Sequence, residues 1–105
     1  MLGLVLVTHA PLGDAIAQCV RHVMGSLPDG LAVVDVPGDE DIEQSVQRIQ
    51  AAARQVHAGD GVVFLTDLFG ATPSNAAVRA GVESLNLPTV LVSGCNLPMV
   101  LRALG

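Results

Sequence analysis

Tryptophan and tyrosine are absent, phenylalanine occurs only twice, and there is no lysine at all. Without large aromatics the interior has to be built from Val, Leu, Ile and Ala, which suits buried parallel strands covered by small-residue helices. The five basic residues are all arginines, scattered against ten acidic residues for a net charge of -5. Binding to a phosphate backbone draws on clustered cations, so nucleic acid is not an expected partner. Cys19 and Cys95 are far apart and form neither a C-x-x-C nor a metal-like spacing. They read as small buried hydrophobes in a reducing compartment. Nor does any apolar run approach the roughly 20 residues of a membrane helix. The one at the N-terminus lacks a preceding basic region and stops at Thr8-His9. A cytoplasmic protein is expected, and 105 residues, half of them hydrophobic, support one domain with one core.

What is present alternates regularly. Leu4 to Val7 is a short apolar run, consistent with a strand buried on both faces. Asp14 to Met24 carries Ile16, Cys19, Val20 and Val23 at helical spacing, with Gly25 as a natural stop. Leu31 to Val36 is a second strand, ended by Pro37-Gly38. The clearest helix steps through Ile42, Val46, Ile49, Ala53 and Val56, with Asp39 or Asp41 available as cap and Gly59 as terminator. Val62 to Thr66 is a third strand. Thr72-Pro73-Ser74-Asn75 opens a third helix, with Thr72 as N-cap and Pro73 as its first residue. Thr89 to Val92 leads into a short helix around Pro98 to Leu104. The fold class is therefore α/β: a (βα)₄ three-layer sandwich, mainly parallel, in the flavodoxin-like strand order 2-1-3-4.

In such a sheet functional groups gather beyond the carboxyl ends of the strands. With strands one and three adjacent, His9 and Asp67 meet above the sheet. A histidine there can be a nucleophile, a general base or a metal ligand. A carboxylate on one ring nitrogen fixes the tautomer and leaves the other nitrogen nucleophilic. A phosphoryl acceptor also needs donors for three anionic oxygens. The N-termini of helices one and three, with the Thr72 and Ser74 hydroxyls, are candidates. His22 and His57 lie in the last turns of helices, where histidine suits the dipole, and read as structural. No glycine-rich nucleotide loop and no G-x-S-x-G elbow occurs, and His9 with Asp67 supplies too few ligands for a metal. Neither metal nor cofactor is expected.

These segments resemble the IIA domain of the mannose/fructose class of the bacterial phosphoenolpyruvate-dependent sugar phosphotransferase system (PTS). The resemblance rests on four stretches: residues 4–12 (LVLVTHAPL), 36–40 (VPGDE), 62–77 (VVFLTDLFGATPSNAA) and 93–99 (SGCNLPM). They stand in family order and at family spacing. The resemblance implies a phosphotransferase in which His9 accepts a phosphoryl group from the phosphohistidine of HPr and passes it to a IIB component linked to a membrane permease. It implies that Asp67 hydrogen-bonds the His9 ring, and that Thr72 and the start of helix three, with Ser74 and Gly70, hold the phosphate. Pro11, Leu12, Leu68, Phe69, Pro98 and Met99 would form the docking rim for partner proteins.

The chain departs from the family at Ala10 and Ala71, where glycine is usual, at Thr72 for serine, and at Ser74, where an aromatic is common. Family members usually continue past the fourth helix, partly exchanging that segment within a homodimer, and residues 1–105 read as one IIA domain without the extension. A regulatory protein signalling through phosphorylated His9 is the alternative within the same chemistry. A receiver-like module phosphorylated on Asp67 lacks the acidic pair after strand one and any lysine. A non-catalytic binding module is the remaining alternative.

Overall fold

The structure is a computed structural model that describes residues 3–56, 61–67, 72–84 and 89–104. Strands and helices alternate as β1 (Gly3–His9), α1 (Leu12–Met24), β2 (Leu31–Val36), α2 (Ile42–Val56), β3 (Val62–Thr66), α3 (Thr72–Ser84), β4 (Thr89–Ser93) and α4 (Leu97–Leu104). The four strands form one all-parallel sheet in the order β2-β1-β3-β4. Both the (βα)₄ pattern and the strand order agree with the expectation from sequence. The radius of gyration, 12.4 Å, is that of a single domain of this length.

Alternation along the strands builds the three layers. On β1, Val5 and Val7 face a core with Ile49 and Ala53 of α2, Phe64 of β3, and Ala76, Ala77 and Ala80 of α3. Leu4 and Leu6 face the opposite core, with Ile16 and Val20 of α1, Leu65 of β3 and Val100 of α4. A two-residue period sends successive side chains to opposite faces, so β1 is buried on both. Burying each such side chain stabilises the fold by roughly 1.5–3 kcal/mol. The alanine face of α3 lets that helix lie close to the sheet, as the lack of large aromatics requires.

The helix ends follow local chemistry. Gly25 takes φ +85° after α1 and donates its N–H to Arg21 O at 2.9 Å, a left-handed stop that a side chain would strain. At the start of α2, Gln44 and Ser45 donate to the carbonyl of Asp41, at 3.0 and 3.2 Å. The Asp41 side chain contributes little, since its approach to Glu43 N is 3.5 Å. The firmer tie is Glu40, which accepts from the Ser45 hydroxyl at 2.6 Å and from Arg48 at 2.8 and 2.9 Å. The Ser45 hydrogen bond, against some opposition from burial and helped by Arg48, holds the Glu40 carboxyl below its ordinary value. α3 begins at Thr72 itself, one residue earlier than the sequence suggests, a normal margin for a helix end.

The cysteine expectation is corrected. Cys19 is exposed on α1 and Cys95 is half-buried before α4. The α1 stripe through Ile16 and Val20 faces the sheet and turns Cys19 outward. His22 lies in the last turn of α1, as expected, whereas His57 and Gly59 lie outside the described residues. Among the described residues no helix is long and apolar enough to cross a membrane.

Candidate functional site

β1 and β3 are neighbours, with Val7 opposite Thr66, so the residues just beyond that pair meet at the carboxyl edge of the sheet. There the Asp67 Oδ2 accepts the His9 backbone N–H at 3.1 Å and lies 2.8 Å from the His9 Nδ1. A carboxylate only accepts, so the neutral ring carries its hydrogen on Nδ1 and keeps the Nε2 lone pair free. The His9 side chain is 50% exposed and that of Asp67 only 14%. The ring is thus reachable while the group that orients it is held. Burial works to raise the Asp67 carboxyl. The hydrogen bonds from the His9 ring and backbone, with the ring's charge, outweigh it and hold the carboxyl below its ordinary value.

Of the residues expected to form a docking rim, Pro11 and Pro98 are exposed, Leu12 is 39% exposed and Met99 is half-buried. Asn96 caps α4 by accepting Met99 N–H at 3.0 Å, which sets the angle at which Leu97, Pro98 and Met99 leave the edge. Thr72 is exposed at the first position of α3 and Ser74 belongs to the same turn. Leu68, Phe69, Gly70 and Ala71 lie outside the described residues. Ala10 needs no glycine, since no described non-glycine residue has a positive φ. Burial, and then the negative charge of Asp67, push the Cys95 thiol up. Among the described residues no group of three or more His, Cys, Asp or Glu side chains could hold a metal ion.

One expectation is overturned. The N-terminus of α1 is not open to an anion, because Asp35 of β2 already occupies it. Its Oδ1 accepts Gly13 N–H at 2.8 Å and the Thr8 hydroxyl at 2.6 Å, while its Oδ2 accepts Asp14 N–H at 2.9 Å. Pro11, at the cap position, makes no side-chain cap of its own. Sequence reasoning passed over Asp35, although a signal was present: one carboxylate in the otherwise apolar run Leu31–Val36.

The same cluster explains Gly13. A Cβ there would lie 2.5 Å from Asp35 Oδ1, 2.6 Å from Thr8 Oγ1 and 2.7 Å from Val33 Cγ1. Alanine normally stabilises a helix interior by about 1 kcal/mol over glycine. Here the overlap with a hydrogen-bonded cluster reverses the sign, and Gly13→Ala should cost about 1–3 kcal/mol net. A lowered urea midpoint at unchanged m-value is the expected readout, and a raised midpoint would show that the cluster yields freely.

Residues 3–105 match the family described as the PTS system fructose IIA component. The chain belongs to this family. Family membership supports a phosphotransfer role in sugar uptake. It is similar to the PTS system fructose-specific EIIA component of Bacillus subtilis (strain 168), 27% identical over 105 residues, covering 100% of this chain and 70% of that one. It is also similar to the PTS system mannose-specific EIIAB component of Escherichia coli (strain K12), 26% identical over 103 residues. That match takes in 98% of the IIA chain but only 31% of the relative's length. Among solved structures, the PTS IIA protein associated with the fucose utilization operon of Streptococcus pneumoniae superposes with a TM-score of 0.83 at 19% identity, over 97% of this chain and 75% of that one. The phosphotransferase system component EIIA of Streptococcus agalactiae gives 0.78 at 24% identity, over 98% and 76%. At these identities the structural likenesses speak for the fold.

Proposed function

We propose that this IIA chain is a phosphocarrier that takes a phosphoryl group onto His9 Nε2 from phosphorylated HPr and passes it to a IIB component during sugar uptake. The observation that carries the reading is the 2.8 Å contact between His9 Nδ1 and Asp67 Oδ2, within a chain of this family. In the forward step the Nε2 lone pair attacks phosphorus in line with the donor's P–N bond. That bond breaks with its electron pair going to the donor imidazole, and a new P–N bond forms on His9. The ring gains positive charge as it attacks, and the Asp67 carboxylate, already on Nδ1–H, stabilises it without rearrangement. Transfer to IIB is the same step reversed.

The phosphoryl oxygens need donors, and the Gly13 and Asp14 N–H groups of α1 are committed to Asp35. In this reading the Thr72 hydroxyl and the start of α3 take that role, which the family resemblance extends to Ser74 and Gly70. Pro11, Leu12, Pro98 and Met99 are assigned to an apolar rim for protein partners, a role the family resemblance also gives Leu68 and Phe69. A homodimer in the cytoplasm is part of the same proposal. Val90 and Val92, 57% and 38% exposed on the edge strand β4, leave apolar surface that suits such an assembly.

The test is chemical. Incubated with phosphoenolpyruvate, enzyme I and HPr, the chain should acquire label stable to base and labile to acid, the signature of phosphohistidine. Base-labile label would mark an acyl phosphate on a carboxylate, and no label would remove the phosphocarrier role.

A further inference from the structure

We propose that Asp35 is a positioning residue for His9, acting through the loop between β1 and α1 and not on the phosphoryl group itself. The inference rests on the reading of His9 as the acceptor. Thr8 and Gly13 bracket residues 9–12, and the Asp35 Oδ1 holds both, at 2.6 and 2.8 Å. Its Oδ2 holds the next N–H, that of Asp14, at 2.9 Å. One carboxylate therefore closes the His9 loop at both ends. The adjoining residue of β2 adds a third tie, as Ala10 donates its N–H to Val36 O at 3.1 Å.

The register explains why β2 can do this. Thr8 lies directly opposite Asp35 in the parallel pairing, and Leu31 and Val33, four and two residues earlier on the same side of β2, pack toward the α1 layer. Asp35 thus arrives under the first turn of α1. Placing a carboxylate there is unfavourable unless its lone pairs are met. Three donors and the positive end of α1 meet them. Thr8 is fully buried, so this anchor is rigid. His9 is the next residue, and its ring meets Asp67 on the opposite neighbouring strand. The distance between anchor and ring is one residue, so play at Thr8 becomes misalignment of Nδ1 against Asp67.

The experiment reads the ring directly. Nitrogen-15 NMR of the unphosphorylated protein should show His9 in a single tautomer with hydrogen on Nδ1. In Asp35→Asn and in Thr8→Val the ring nitrogens should move toward averaged shifts. The single-turnover rate constant for transfer from phosphorylated HPr should fall about 10–100-fold, since an error of about 1 Å in a reacting group has an effect of that order. Half-saturation in donor should change little, because the docking rim is untouched. Thr8→Ser keeps the hydroxyl and should restore both spectrum and rate. A role confined to stability would lower the unfolding midpoint while leaving the ring spectrum and rate constant of the folded protein unchanged, and that result overturns the proposal. If Asp35→Asn does not fold, the Thr8→Val and Thr8→Ser pair decides alone. If the wild-type chain accepts no phosphoryl group, the His9 reading fails, and the tautomer spectra still decide whether Asp35 positions the ring.

Discussion

Replacing His9 with alanine should abolish base-stable phosphoryl label completely while leaving the protein folded. The ring is half exposed and belongs to neither core layer, so its removal opens no cavity. Asp67 is not stranded either. The His9 backbone N–H, which donates to the same Oδ2 at 3.1 Å, remains in the alanine variant. The melting temperature should therefore shift by no more than a few degrees, whereas the acceptor nitrogen is gone. Label retained after this substitution would place the phosphoryl group elsewhere and overturn the central reading.

The second large effect is expected at Asp67. Asp67→Asn should slow transfer onto His9 by about 10²–10⁴-fold without removing the acceptor, the range for losing a carboxylate that orients an imidazole and stabilises its charge. An amide can donate toward Nδ1 and so favour the wrong tautomer, and even as an acceptor it lacks the charge that the attacking ring calls for. Single-turnover measurements against phosphorylated HPr would show slow but eventually complete labelling. An unchanged rate would refute the orienting role.

The pH dependence follows from the direction of the Asp67 shift. Despite burial, its hydrogen bonds to His9 hold the folded-state carboxyl below the ordinary value of 3.8. The unfolded state then binds the proton more readily than the folded one. The contribution of Asp67 to stability is full above that ordinary value and is lost as pH falls through the lower, folded value. Unfolding midpoints measured from neutral pH into acid should converge for wild type and Asp67→Asn only at the acid end.

Much of this site can be read from the residues alone, for identifiable reasons. β2, α2 and β3 match their expected spans because apolar runs and a four-three spacing are local signals. His9 and Asp67 stand out because each follows an apolar run, and the carboxyl ends of adjacent parallel strands share one edge. The two cysteines illustrate the opposite case. Composition suggests burial, but which face of α1 carries Cys19 depends on which stripe the sheet selects. Asp35 is harder still, because a lone carboxylate in a strand does not reveal what lies across from it.

The sequence by itself determined the order of elements, a mainly parallel sheet and the two residues that meet at its edge, since periodicity, turn residues and crossover handedness act over short stretches. Only the tertiary structure decided that Asp35 takes up the N-terminus of α1 and ties Thr8 to Gly13. The physical reason is range. Hydrogen bonds of 2.6–2.9 Å between residues 21 to 27 apart in the chain exist only once β1 and β2 pair in one register and α1 settles on them.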